Sequence, residues 1–316
     1  MFDMFQKIMD LIRQYDTIIL HRHNKPDGDA MGSQIGLKHI LKANFPEKTV
    51  YVVGDDPRFF GFMDDSAMDE IADEVYENAL AIILDCGAAS LISDSRYQTA
   101  AATARFDHHI FSEKIADEEV VDTSYESCCS LVTDFAYQCG LDLTPIAAKS
   151  LYTGIVTDSG RFRYDGTTSR THRLASWLMG QEFDTNDIFR NLYADTLESK
   201  KLKAKFISKI ELTPYNLAYI FTSREEFESL GVDLFTISRG MTNVMADIKG
   251  VDIWANLTET ADGVICELRS SKYNIQSIAV KYGGGGHAKA CGCTVPDKKT
   301  ATAMLIELDH IGRISE

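Results

Sequence analysis

The sequence predicts an α/β fold: a parallel sheet with helices on both faces, joined by a helical connector to a smaller α+β domain. Three observations carry this. Short aliphatic and β-branched runs in the first half are apolar at successive positions, the pattern of strands buried on both faces. Helical stretches alternate with those runs. A charged stretch without Pro or Gly, residues 184–209, then separates this half from a region of mixed strands and helices. The 316 residues suit two domains, each able to bury a core.

The N-terminal MFDMFQKIMDLIRQYD mixes charges into a helical apolar pattern and reads as a first helix. The strands follow at Thr17 to Leu20, Thr49 to Val53, Leu80 to Leu84, and in a shorter run ending at Phe106. Helices are expected at Ala30 to Ala43, Asp65 to Ile71, Ser127 to Cys139, Pro145 to Thr157 and Ser169 to Met179. Residues 1–183 form the first domain, 184–209 the connector and 210–316 the second domain. In the second, Leu217 to Thr222, Val251 to Leu257 and Gly263 to Arg269 read as strands, and Asn274 to Tyr282 and Thr300 to Ile311 as helices.

Composition excludes several classes. With 45% hydrophobic and 25% charged residues, the chain is neither disordered, collagen-like nor a disulfide scaffold. Lys and Arg number 32 against 47 Asp and Glu, a net charge of −15. That is the wrong sign for clamping duplex DNA. It leaves a small anionic ligand open, because metal ions or Arg reverse the sign inside one site. The seven cysteines include Cys128–Cys129 and Cys291–Cys293, spacings of neither a zinc knuckle nor a redox pair. They read as free thiols of a reducing compartment. No run approaches the ~18 apolar residues of a membrane span, and the N-terminus lacks a signal peptide's basic start and apolar block. A cytoplasmic protein with no membrane partner is expected.

The chemistry lies after the strands. His21-Arg-His23-Asn-Lys-Pro-Asp27-Gly-Asp29 follows the first, Asp85-Cys-Gly the third, and Asp107-His108-His109 the fourth. Ligands of open α/β sheets bind outside the carboxyl ends of the strands, so three strands deliver oxygen and imidazole donors to one edge. Asp158, in GIVTDSGRF, offers a fourth contribution. Gly28 is expected to turn the first loop between its carboxylates, and Pro26 to stiffen its entry. So many carboxylates converge only around cations, because like charges a few Å apart force protonation. The donor set suits manganese, magnesium, iron or zinc, and two such ions form the usual clamp for phosphate-ester hydrolysis.

HRHNKPDGDAMGS, DCG, DHH and TDSGRF together resemble the motif series of the DHH phosphoesterase superfamily. The tail RSSKYNIQSIAVKYGGGGHAKACG resembles the glycine-rich signature of its associated C-terminal domain. The resemblance covers almost the whole chain and is strongest to the NrnA-like branch of nanoRNases, pAp phosphatases and dinucleotide phosphodiesterases. The glycine signature separates the chain from family II inorganic pyrophosphatases, and its length from the larger RecJ exonucleases.

The resemblance implies a hydrolase with two divalent ions, manganese being the expected one. His23 and Asp27 would hold one ion, Asp29, His108 and Asp158 the other, with Asp85 bridging. Asp107 would orient a neighbouring imidazole and His109 would face the scissile phosphate. A hydroxide shared by the ions would attack phosphorus. His21, which closes the strand, is read as packed. SerCysCysSer at 127–130 departs from the family's usual Ser-Thr pair at a helix start. In the second domain Gly284, Gly285 and Gly286, ahead of His287, would let backbone amides approach an anion. Arg269 and Ser270 would grip a terminal phosphate. Arg239 and Asn243 are weaker candidates. Expected substrates are linear dinucleotides such as pApA, nanoRNA and 3′-phosphoadenosine 5′-phosphate. Direct cleavage of cyclic di-AMP, or non-catalytic nucleotide sensing on the same fold, are the rival readings. Relatives of this type are often homodimers through the first domain.

Overall fold

The computed structural model describes residues 2–313, which form two compact units, the chain passing from one to the other between Ala194 and Asp195. In the first unit the order is α1 (Phe2–Gln14), β1 (Thr17–Arg22), α2 (Gly28–Asn44), β2 (Thr49–Val52), β3 (Ala79–Leu84), β4 (Ala102–Asp107), β5 (Glu118–Val121), α3 (Cys128–Cys139), α4 (Pro145–Asp158), α5 (Ser169–Leu178) and α6 (Thr185–Tyr193). The sheet is wholly parallel, in the order β2-β1-β3-β4-β5.

Strand alternation sorts the core onto two faces. Ile18 and Leu20, Leu80, Ile82 and Leu84, and Ala104 and Phe106 pack against α1 to α4. Ile19, Ala81 and Ile83 face the other way. That second face is covered by short 3-10 turns, Asp73–Asn78, Ala89–Leu91 and Ser95–Thr99, rather than by α-helices. Residues 65–71, expected to be helical, are not. Asp65 has φ 57°, and Asp69 runs along the edge of β2, giving its amide to the Val52 carbonyl and accepting the Val52 amide. Pairing to an open sheet edge wins over helical propensity there.

α2 and α4 pack unusually closely. Gly28, Gly32 and Gly36 repeat every four residues and so share one face of α2. A Cβ on Gly32 would lie 2.5 Å from the Ser150 carbonyl oxygen, and one on Gly28 2.5 Å from Thr157 Oγ1. Gly28 is therefore not the turn residue its sequence setting suggests. It is the first residue of α2, capped by Asp27, and lacks a side chain because α4 occupies the space.

The second unit contains α7 (Leu197–Ile207), β6 (Glu211–Leu212), β7 (Ala218–Thr222), α8 (Arg224–Leu230), β8 (Ile253–Thr260), β9 (Gly263–Ser270), α9 (Gln276–Lys281), β10 (Gly285–His287), β11 (Ala290–Val295) and α10 (Lys298–Arg313). Its mixed sheet runs β10-β11-β9-β8-β7-β6, with only β7 and β8 parallel. α9 and α10 cover one face. α7 and the turns around Ile237 to Met245 cover the other. The stretch 184–209 is thus two helices, one in each unit. No helix among the described residues is long and apolar enough to cross a membrane.

Candidate metal centre

β1 has β2 on one side and β3 on the other, so the chain reverses direction across the sheet at β1 and β3. The crevice outside their carboxyl ends is where this architecture binds ligands. His23 and Asp27 follow β1, Asp85 follows β3, Asp107 ends β4, and His108 and His109 follow it. Asp29 arrives from the first turn of α2 and Asp158 from the last residue of α4. Donor atoms of His23, Asp27 and Asp85 lie within 4.8 Å of one another, as do those of Asp29, His108 and Asp158, and those of Asp85, His108 and His109.

Asp85 stands between these groups. Its Oδ2 lies 3.5 Å from His23 Nε2, and its Oδ1 3.4 Å from His108 Nε2 and 3.6 Å from His109 Nδ1. The carboxylate is 2% exposed, and Oδ1 has no hydrogen-bond partner among the described residues. An orphaned buried carboxylate oxygen is costly. The other spacings are similar: His23 to Asp27 3.7 Å, His108 to Asp29 3.7 Å and to Asp158 3.5 Å. These are too long for good hydrogen bonds. Two donors each about 2.1 Å from one ion stand roughly 3.0–3.4 Å apart, so the cluster fits shared cations better than direct pairing.

Local folding fixes each donor. Asp27 caps α2, its Oδ1 accepting the amides of Asp29 and Ala30 at 3.0 Å. His23 Nδ1 lies 2.7 Å from the Asn24 carbonyl, which can only accept; Nδ1 therefore carries a proton, and Nε2 is the nitrogen that faces the carboxylates and would ligate a cation. Asp29 is fully buried against the start of α3, accepting the Cys128 amide on Oδ2 at 2.6 Å and the Cys129 amide on Oδ1 at 2.8 Å. In the SerCysCysSer segment the Ser127 hydroxyl caps α3 by accepting the Ser130 amide, and the two cysteine backbone amides hold Asp29. Sequence reasoning missed this, since an amide carries no residue signature.

The electrostatics record crowding. Burial and the negative charge of Asp85 push Asp29 up to about 7. Burial, Asp29 and Asp85 raise Asp158 well above the carboxylate range. Burial would raise Asp85 too, but the facing His108 and His23 outweigh it and hold Asp85 low. Burial opposes charge on His23 and His108, yet Asp27 and Asp85 lift the first to about 11, and Asp85 and Asp29 lift the second to about 10. Without ions the imidazoles thus serve as the counter-charge, a role that cations fill while freeing the ring nitrogens to ligate.

His109 is half-exposed and its Nδ1 lies 2.8 Å from Asp107 Oδ1, so Nε2 turns outward. That hydrogen bond raises the His109 pKa. His21 is fully buried between Tyr76 and Tyr97, and burial lowers it to about 4; it belongs to the packing.

The second unit's candidates lie together around β9 to β11. Arg269 sits on β9, its Nη1 3.2 Å from Glu267 and donating to the Leu268 carbonyl at 2.9 Å. The Ser270 hydroxyl oxygen accepts the Lys272 and Tyr273 amides, so it closes a turn. The glycines are not a loop: Gly285 to His287 form β10, the sheet's edge strand, paired with β11. Gly284 packs onto Gly292 and Cys293, and a Cβ on Gly286 would lie 2.7 Å from Cys291 Cα. Close packing thus accounts for two of these glycines, while Gly285 and His287 remain exposed. Arg239 and Asn243 lie in the turns that cover the opposite face of this sheet.

The profile of the DHH family, N-terminal domain, matches residues 17–155, and that of the DHHA1 domain matches residues 235–311. The chain is 36% identical to the probable bifunctional oligoribonuclease and PAP phosphatase NrnA of Streptococcus mutans, over 91% of this chain and 92% of that one. It is 33% identical to the bifunctional oligoribonuclease and PAP phosphatase NrnA of Bacillus subtilis, over 96% and 97%. The crystal structure of an exopolyphosphatase-related protein from Bacteroides fragilis superposes with a TM-score of 0.85 at 25% identity, covering 98% of both chains. With a DHH domain built around this cluster and a DHHA1 domain following it in the sequence, the chain belongs to the DHH family of phosphoesterases, among the two-domain members of the NrnA type.

Proposed function

We propose that this protein hydrolyses phosphoester bonds in short nucleotides, releasing mononucleotides from linear dinucleotides and nanoRNA and removing the 3′-phosphate of 3′-phosphoadenosine 5′-phosphate. The observation that carries the reading is the convergence of six oxygen and imidazole donors on one strand-end crevice around the shared Asp85. The relatives' names, oligoribonuclease and PAP phosphatase, supply the substrate class.

His23, Asp27 and Asp85 would hold one divalent cation, and Asp29, His108 and Asp158, with Asp85, a second; manganese suits this donor set. Bound there, cations supply positive charge to the phosphoryl oxygens and bring the pKa of water toward neutrality. The chain's own groups do the rest. Asp107 fixes the His109 ring, and the outward Nε2 donates to a phosphoryl oxygen as charge develops. Asp29, tied to the start of α3, keeps its half of the cluster from drifting. In the second unit Arg269, Ser270, the exposed Gly285 amide and His287 are the candidates for contacting a nucleotide phosphate. Substrate recognition by charge is local in a chain of net charge −15.

The test is product chromatography of pApA, 3′-phosphoadenosine 5′-phosphate and cyclic di-AMP run side by side on chelated protein, before and after manganese is restored. AMP is expected from the two linear substrates only after restoration. Full turnover by the chelated protein, or a nucleotide that binds and is recovered intact, would refute the reading. Preferential cleavage of the cyclic compound would move the substrate assignment to cyclic dinucleotides.

A further inference from the structure

β4 carries a fully buried guanidinium, Arg105, that the proposed chemistry does not use. Alternation places Arg105 and Asp107 on the same face of the strand, two residues apart. Arg105 Nη2 donates to Asp107 Oδ2 at 2.5 Å, and both side chains are fully buried. Asp107 presents its other oxygen, Oδ1, to His109 Nδ1 at 2.8 Å. On its other arm Arg105 Nη1 donates to the Glu113 carbonyl at 3.1 Å and lies 3.3 Å from Glu119. Glu119 is its direct cross-strand neighbour on β5. Glu119 Oε1 in turn accepts the amides of Ile115 and Ala116. The guanidinium is thus fixed from two sides by groups that cannot swing away.

We propose that Arg105 is a positioning residue for His109, acting through Asp107. The inference rests on His109 as the group that faces the scissile phosphate. A carboxylate that oriented His109 alone would be free to rotate about its χ2 torsion, and the imidazole would follow. Arg105 removes that freedom by occupying Oδ2 with one arm of a planar fork whose other arm is anchored across the sheet. The result is a three-part relay, Arg105 to Asp107 to His109, with only the last ring reaching solvent.

The experiment compares Arg105→Gln, Asp107→Asn, His109→Ala and the Arg105→Gln/His109→Ala double variant, all in the manganese-loaded full chain with pApA. Arg105→Gln is expected to lower kcat by about 10–100-fold with KM within about twofold. It should cost nothing further in the His109→Ala background, because both act at one step. A second readout is independent of activity: in a proton–nitrogen spectrum of the metal-free protein, the hydrogen-bonded Nδ1–H signal of His109 should be lost or shifted in Arg105→Gln. Should the Gln variant fail to fold, Arg105→Lys carries the same test. It keeps the charge but not the fork, and an intermediate kcat is expected.

Normal kcat in Arg105→Gln or Arg105→Lys, with His109→Ala inactive, overturns the relay and leaves the role of His109 standing. Multiplying losses in the double variant, or an unchanged Nδ1–H signal, also overturn it. Normal kcat in His109→Ala removes both the role of His109 and the relay built on it.

Discussion

Replacing Gly32 by Ala should damage the centre from a distance. The new Cβ would lie 2.5 Å from the Ser150 carbonyl oxygen, 2.8 Å from Cys129 Sγ and 3.2 Å from the Gly154 amide nitrogen. Two of these are backbone atoms, so no flexible side chain can give way. Ordinary contact requires about 3.4 Å or more, so α2 and α4 must separate by roughly 1 Å. Overpacking of this kind costs about 1–3 kcal/mol, less the ~0.5–1 kcal/mol that Ala gains over Gly within a helix. The net, about 0–2.5 kcal/mol, corresponds in a unit of this size to a Tm up to about 10 °C lower. The functional loss should be larger. Asp29 lies one turn before Gly32 on α2, and Asp158 one turn after Gly154 on α4, so the separation falls between two donors of one group. A 1 Å misplacement in an active site costs on the order of 100-fold in rate. Thermal melts, manganese titration calorimetry and pApA hydrolysis measure the three effects. Gly61→Ala is the control, since nothing lies within 4 Å of a Cβ there. Wild-type melting, metal affinity and turnover in Gly32→Ala would refute the claim that close helix packing sets the donor geometry.

Manganese at about 100 times its Kd should stabilise the protein by roughly 2.7 kcal/mol, a rise of about 5–11 °C in Tm. Asp85→Asn should abolish both that rise and hydrolysis while keeping the metal-free fold; a retained manganese shift would remove Asp85 from the ligand set. Arg269→Ala should raise KM for pApA and leave bis-p-nitrophenyl phosphate cleavage largely unchanged, and equal losses on both would count against substrate reading. On the acid side, burial opposes ionisation of Asp55, but Ser93, the Lys25 amide and the buried Arg22 outweigh it and hold Asp55 at about 2. Its folded value lies below its unfolded value of about 3.8, so its contribution is full above roughly pH 4 and is lost as pH falls through 2. Because Asp55 is over a third exposed, screening reduces this to about 1 kcal/mol. Urea melts across that range should show Asp55→Asn with a flatter acid limb, and an unchanged slope would discount the pair.

The strands β1 to β4 were legible because each is a short apolar run that stops at polar residues, and after β1, β3 and β4 those residues carry the chemistry. β5 was not: Glu118-Glu119-Val-Val on an edge carries charges that mask its pairing. Residues 65–71 were misread because helical composition cannot report an open strand edge nearby. At the centre, His23, Asp27, Asp29, Asp85, His108 and Asp158 were legible as motifs at strand and helix ends, and the structure brings them together. The apparatus behind them was not. The Cys128 and Cys129 amides that hold Asp29, the glycine face of α2, and Arg105 behind Asp107 become visible only once sequence-distant segments are side by side. The four-glycine run showed the complementary failure, in which residues suited to an anion cradle are also what lets an edge strand lie flat on its neighbour.

Asp85 adopts a left-handed backbone, φ 56°, at the point where β3 ends. The kink breaks the strand's two-residue alternation, and Cys86, not Asp85, joins Ala81 and Ile83 on the lower face. The amide of Asp85 still donates to the Phe106 carbonyl of β4 at 3.0 Å, so the sheet holds the residue at the very point where its side chain leaves the alternation. Position 85 therefore faces two demands at once, an anionic oxygen for the imidazoles on either side and a positive-φ backbone that Asp and Asn tolerate and branched residues resist, so Asn there alters charge while sparing the main chain.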